Sequence, residues 1–269
     1  MNGCDYSFAR PDPACLFRSH GFRFAGRYTS IGPNDKNMTA AEVRGLLGAG
    51  IALITVFEEE AGHMLLGRAA GVSAAEASRD LAGACGMPRG RPHYFALDID
   101  PRPLSGSEWD RVKAYLDGAA SVLGRGTVGV YGGYLAIEKL VSQWAPWGWQ
   151  TAAWSDGIWS AKAHLQQYEI DVERCHGGVD LDRTHPDRNI TDYGQWGLKE
   201  DLSIMDERTK DYLNSQFGTV VKRLDLIRLG DNPDPSSGRT HPGNLDTIVH
   251  KINEIQADLD QIKRRLDLP

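Results

Sequence analysis

The chain lacks the marks of several common protein classes. No stretch approaches the ~18 consecutive apolar residues of a membrane-spanning helix, and no Lys/Arg block gives a nucleic acid a basic surface to bind. The formal net charge of the 269 residues is -6, which points away from a polyanionic partner. From Met1 the chain runs into Asn2-Gly3-Cys4-Asp5 with neither a basic nor an apolar leader segment. Export by a signal peptide of its own is therefore not expected. The four cysteines, Cys4, Cys15, Cys85 and Cys175, form no CxxC pair and read as free thiols rather than zinc ligands or a disulfide framework. The eight histidines show no HExxH spacing, no G-x-S-x-G elbow presents a serine, and Asp5-Tyr6-Ser7-Phe8 is not a glycine-rich phosphate loop. No metal or cofactor is predicted.

What is present is enough apolar residue, 41%, for a full core, with 25% charged residues outside it. Short β-rich runs alternate with helical patterns up to about residue 200, as in βαβ units. Strands are predicted near Gly3 to Ser7, Phe22 to Tyr28, Ile51 to Phe57, His93 to Asp98, Thr127 to Tyr131, Gln150 to Trp154, Ala163 to Tyr168 and Val179 to Asp182. Thr39 with Glu42, and Ser73 with Glu76, have capping-box spacing at the starts of crossover helices, and Ser105 to Leu123 is a longer amphipathic helix. Eight parallel strands without a phosphate loop predict an α/β fold, a (β/α)8 TIM barrel over residues 1–200, with site residues at the C-terminal ends of its strands.

Beyond the barrel the pattern changes. Leu213, Phe217, Val220, Leu224 and Ile227 make a helical seam within a connector over 201–229, and 230–244 is a Pro/Gly/Ser/Asp-rich linker. In 245–269, Leu245, Ile248, Ile252, Ile255, Leu259, Ile262 and Leu266 fill consecutive a and d positions, the signature of a coiled coil. The a/d residues favour a trimer or tetramer, with a hairpin onto the 213–227 seam as the intramolecular alternative.

The apolar strand Tyr94-Phe95-Ala96-Leu97 ends in Asp98-Ile99-Asp100-Pro101. Residues two apart share a face of a strand, so both acids are expected to point into the barrel mouth. Neighbouring carboxylates oppose each other's ionisation, so one holds a proton while the other stays charged, as glycoside hydrolysis requires. Glu58, after the third strand, is the third candidate acid. Asp5, Asp180 and Asp182 end other strands, and Tyr28, Tyr131, Trp154 and Gln167 offer ring faces and an amide for a sugar.

These segments carry a family likeness. Gly3-Cys4-Asp5, Phe24-Ala25-Gly26-Arg27-Tyr28, Phe57-Glu58 and Tyr94 to Asp100 resemble the glycoside-hydrolase-like barrel domain of actinobacteria and their phages, itself similar to the family 25 lysozymes. Gly129-Val130-Tyr131-Gly132, Gln150 to Trp154, Leu165 to Tyr168 and Val179 to Asp182 continue the likeness to about residue 198. The resemblance implies a peptidoglycan glycosidase in which Asp5, Asp98 and Asp180 match site carboxylates. It departs at Asp100, where those lysozymes carry the glutamate that acts as general acid. Either the shorter aspartate serves or Glu58 supplies the proton. The alternatives are an oligomeric glycan-binding or particle-associated module without turnover, and an unrelated small-molecule barrel enzyme. Without a leader, action at the cell wall is expected after lysis or delivery in a particle.

Overall fold

The structure, a computed structural model, describes residues 1–8 and 10–197. The connector, linker and coiled coil predicted from residue 201 onward lie outside the described residues. Within them, eight strands close into one barrel in chain order: β1 (Asn2–Asp5), β2 (Phe24–Thr29), β3 (Ala52–Phe57), β4 (His93–Leu97), β5 (Val128–Gly132), β6 (Trp147–Thr151), β7 (Leu165–Arg174) and β8 (Gly177–Thr184). The helices are α1 (Pro13–His20), α2 (Ala40–Gly48), α3 (Arg68–Ala84), α4 (Gly106–Leu123) and α5 (Tyr134–Leu140).

Two features correct the expected barrel. β8 runs antiparallel to both β7 and β1, so the parallel run ends at β7. The reason is the connection: only Cys175 and His176 separate the two strands, with φ of 52° and 67°. A two-residue turn with both residues left-handed is a tight hairpin, whereas a parallel return needs a dozen or more residues. Helices are also missing where a full (β/α)8 barrel would have them, after β6 and after β7.

The helix starts follow their caps. Thr39 accepts from the Glu42 N–H, but the Glu42 carboxylate turns to the buried Arg27 at 2.8 Å, so the capping box is only half made. Ser105 and Glu108 make both halves. Ser73 is not a cap: α3 begins five residues earlier, at Arg68, and Ser73 lies exposed inside it. α3 and α4 cross closely because Gly71 abuts the Tyr115 carbonyl and Gly118 the Arg68 carbonyl; any Cβ at either would collide with backbone.

Inward-facing side chains fill the barrel with Phe24, Ile54, Tyr94, Trp149 and Leu165, all fully buried. Burying a side chain such as Phe24, Ile54 or Leu165 contributes about 1.5–3 kcal/mol. Gly26 makes room for this core, since a Cβ there would lie 2.5 Å from the Trp149 ring and 2.8 Å from Asp5. After β8 the chain returns beneath the barrel. There Tyr193 accepts the Tyr94 hydroxyl on its carbonyl, and Trp196 bridges to Leu53 and donates its indole N–H to Thr55. That end is sealed, which leaves the other as the mouth.

Candidate active site

Each strand brings an inward-facing position to the mouth by alternation. Asp5 follows Gly3, Tyr28 follows Gly26, and Tyr131, Thr151 and Gln167 do the same on β5, β6 and β7. Glu58 and Asp98 stand one residue beyond β3 and β4. Because β8 is reversed, Asp180 reaches the mouth from the early half of its strand, opposite Asp5, and Asp182 sits deeper, opposite Gly3. The two acids therefore do not stand together at a strand end.

A cleft of about 490 Å³ opens there, lined by Tyr28, Lys36, Glu58, Asp98, Tyr131, Thr151, Trp154, Gln167 and Asp180, with Ser7, Phe8, Ala153 and Ile170 at its edges. Asp5 and Asp182 are buried beneath it. Asp100 is elsewhere. β4 ends at Leu97, the chain turns, and the Asp100 carboxylate takes the Arg102 backbone N–H at 3.0 Å and its guanidinium at 2.8 Å. Arg102 also reaches Asp156 at 3.0 Å. The i, i+2 rule that would place Asp100 beside Asp98 holds only while the strand continues, and here it does not.

Beneath the cleft, Gln167 is the hub. Its amide nitrogen donates to Asp5 at 2.7 Å and Asp180 at 3.0 Å, and its oxygen accepts the Tyr131 and Thr151 hydroxyls at 2.8 and 2.6 Å. All its hydrogen-bonding capacity is used, so its orientation is fixed. Tyr28 adds a hydroxyl to Asp5 at 2.9 Å, and the Asp171 N–H donates to Asp180 at 2.8 Å. Trp149 donates to one oxygen of Asp182 at 2.9 Å. The other finds no hydrogen-bond partner among the described residues.

Burial, then the Asp180 charge, pushes Asp5 up to about 7 against the bonds from Gln167 and Tyr28. Burial and the neighbouring Asp5 raise Asp182 well above the carboxylate range. Asp98 is pushed up to about 6, first by burial and then by the Glu58 charge, with Lys36 pulling the other way. Lys36 stands 2.9 Å from Glu58. Asp100 is held below its ordinary value by Arg102. The cleft thus pairs an acid that keeps its proton toward neutral pH with a carboxylate beside an ammonium group.

Trp154 adds the aromatic wall. It takes a left-handed φ of 54°, a conformation that costs a side-chain-bearing residue about 1–3 kcal/mol. Its carbonyl lies 2.9 Å from where a Gly133 Cβ would be, an approach that only glycine allows.

Sequence reasoning missed Lys36, Thr151 and the place of Trp149. Lys36 lies in a loop with no periodic signal, and the other two belong to β6, which begins three residues earlier than predicted. A second hollow of about 650 Å³ lies at the N-terminal ends of β4 and β5, lined by Arg79, Arg89, Arg91 and His93; its acid, Asp80, is paired with Arg79 at 2.8 Å.

The cysteine expectation is corrected as well. Cys15 and Cys175, 160 residues apart, form a disulfide that ties α1 to the β7–β8 turn, and only Cys4 and Cys85 are free. No spacing rule reaches across that separation.

Comparison with known proteins agrees with this architecture. The model of the Rv2525c-like, glycoside hydrolase-like domain matches residues 15–191. The candidate peptidoglycan hydrolase Rv2525c of Mycobacterium tuberculosis (strain ATCC 25618 / H37Rv) is 30% identical over 201 residues, 68% of this chain and 79% of that protein. The crystal structure of the same Tat-secreted protein with L-tartrate superposes with a TM-score of 0.64 at 28% identity, covering 72% of this chain and 98% of that one. A B. stearothermophilus protein of uncharacterized function, TM-score 0.51 and 20% identity over 69% of this chain and 96% of that one, shares the fold. The Tat-secreted relative overturns the expectation of a chain without export that reaches the wall only after lysis or delivery. The disulfide fits an oxidising compartment. On the family model and the M. tuberculosis relative together, the chain belongs to the Rv2525c-like, glycoside hydrolase-like domain family.

Proposed function

We propose that the protein hydrolyses glycosidic bonds of bacterial peptidoglycan, with Asp98 as general acid and Glu58 as the charged partner. The observation that carries this reading is the pair itself: both acids line one cleft, Asp98 retains its proton to about 6, and Lys36 faces Glu58 at 2.9 Å. Two carboxyl groups with separated roles are what glycoside hydrolysis requires. Asp98 gives its proton to the leaving glycosidic oxygen, Glu58 faces the positive charge that develops on the sugar ring, and water completes the cleavage. Tyr28, Tyr131 and Trp154 offer ring faces to the sugar, and Gln167 holds Asp5 and Asp180 in place. The relative's description as a candidate peptidoglycan hydrolase supports the choice of substrate. Release of reducing ends from purified peptidoglycan by wild type, lost in Asp98→Asn, tests it.

The seam from Leu245 to Leu266 supports a second proposal, that residues 245–269 join three or four copies as a coiled coil. Several clefts on one particle would raise avidity for a repetitive glycan. Light scattering on the full chain and on a chain ending at residue 244 tests it: the first is a trimer or tetramer and the second a monomer.

A further inference from the structure

Glu42 has a role that its spacing conceals. It stands three residues after Thr39, where a capping-box glutamate turns back to the N-cap backbone, and instead it gathers two arginines. Arg27, on β2, faces away from the barrel interior that Gly26 and Tyr28 face, and is fully buried. Its Nε donates to one Glu42 oxygen at 2.8 Å and its Nη2 to the other at 3.3 Å. Nη1 also donates to the Tyr6 carbonyl and Nη2 to the Lys36 carbonyl at 3.3 Å, with the guanidinium 4.1 Å from the Tyr6 ring centroid. Arg10, 3.7 Å from the same carboxylate, donates to the carbonyls of Ser7 at 2.9 Å, of Asp35, and of Asn37 at 3.4 Å. The carbonyls so held belong to the two segments that follow β1 and β2, and Ser7, Phe8 and Lys36 of these segments line the cleft. We propose that Glu42 is a positioning residue of the cleft: through Arg27 and Arg10 it fixes the segments after β1 and β2, and so keeps the Lys36 ammonium group on Glu58.

A buried guanidinium keeps its place only while its charge is met and its N–H groups are bonded, and Glu42 meets the charge of Arg27 with both oxygens. The Met38 N–H ties the end of the second segment to the Tyr28 carbonyl at 2.8 Å, whereas the carbonyls of Asp35, Lys36 and Asn37 rest on the two arginines. Lys36 carries its charge on a flexible four-carbon stem, so the place of its backbone decides whether Nζ meets Glu58 at 2.9 Å and the Glu59 carbonyl at 3.4 Å. Asp98 shares the cleft with Glu58, Asp180, Lys36 and the phenols of Tyr28 and Tyr131, and of these Lys36 is the cation. Around Glu42 stand Arg27, Arg10, the Tyr6 phenol and the Cys85 thiol. The two ways in which Glu42 could act on Asp98 have opposite signs. Removing a distant negative charge lowers a carboxyl group, whereas losing Lys36 from Glu58 raises it. The consequence for catalysis rests on the reading of Asp98 as the acid; the consequence for its titration does not.

Carbon NMR of the carboxyl groups in the full chain reads that titration without turnover. In Glu42→Gln, which keeps the shape of the side chain, the Asp98 midpoint should rise by about one pH unit, as in Lys36→Met. Added to Lys36→Met, Glu42→Gln should bring no further rise, because the two substitutions act through one contact. A residue that only stabilised the fold would lower Tm in both backgrounds and leave the Asp98 midpoint in place. Arg10→Met removes a guanidinium that is 37% exposed and leaves Arg27 on Glu42, so it tests the same clamp without opening the buried pair. It should move the midpoint in the same direction by less. The proposal is overturned if the Asp98 midpoint of folded Glu42→Gln is unchanged or falls, or if its full rise recurs in the Lys36→Met background. Should Glu42→Gln not fold, an unchanged midpoint in Arg10→Met overturns it. Wild type that leaves peptidoglycan uncut counts against the hydrolase reading alone, since the titration decides this one.

Discussion

The ammonium group of Lys36 lies 2.9 Å from the Glu58 carboxylate, on the same cleft that Asp98 lines. Glu58 raises the Asp98 carboxyl and Lys36 lowers it. The two neighbours therefore set the pH range of the proposed acid in opposite directions. Activity should fall as pH rises through about 6, where Asp98 gives up its proton. In Lys36→Met that limb should move up, and in Glu58→Gln the Asp98 carboxyl should titrate lower, each by about one pH unit. Carbon NMR of the carboxyl groups reads the second even where turnover is lost.

Asp182 is buried, and burial together with the neighbouring Asp5 charge raises its carboxyl. For an acid whose folded value is raised, the stabilisation is complete below its unfolded value and is lost as pH rises through the folded one. Asn can accept from Trp149 without that penalty. Asp182→Asn should therefore match wild type near pH 4 and gain stability over it as pH rises. A difference of about 1 kcal/mol, or 2–4 °C in Tm, is expected at pH 8. Thermal unfolding at the two pH values checks it.

Trp154 lines the cleft with a strained backbone and no hydrogen-bond role inside it. Trp154→Ala should weaken glycan binding by about fivefold, the effect of losing about 1 kcal/mol of aromatic contact. KM should rise more than kcat falls.

The Cys15–Cys175 bond closes a loop of 160 residues. Its reduction should cost about 2–5 kcal/mol, lowering Tm by roughly 10 °C. Calorimetry with and without a phosphine reductant measures it.

Much of this was legible in the chain. The strand runs before Thr29, Phe57 and Asp98 alternate or stay apolar and are followed by acids or turn residues, so the parallel part of the barrel and the position of Asp98 could be read directly. Tyr28 and Tyr131 could be named because each ends a strand run, and Gln167 because it offers an amide beside Tyr168 near the end of another. The misreadings have separate causes. The run from Leu165 to Asp182 has no room for a crossover helix between two strands, which is the one signal that β8 is reversed. Missing it placed Asp182 at the mouth beside Asp180. Asp100 was misplaced because strand alternation was carried past Leu97, where Arg102 takes the carboxylate and the chain turns. The disulfide joins residues that only the closed barrel brings together.

The most direct test compares Asp98→Asn and Asp100→Asn with wild type in one assay, reducing-end release from purified peptidoglycan at pH 5.5 or thereabouts, below the Asp98 value of about 6. Loss of a general acid costs about 10²–10⁴-fold in rate, whereas neutralising a carboxylate tied to Arg102 at the surface should leave the rate within about threefold of wild type. Asp98→Asn inactive with Asp100→Asn active is the result predicted. Asp98→Asn turning over like wild type, or Asp100→Asn losing activity to the same degree, would contradict the assignment of the acid to Asp98.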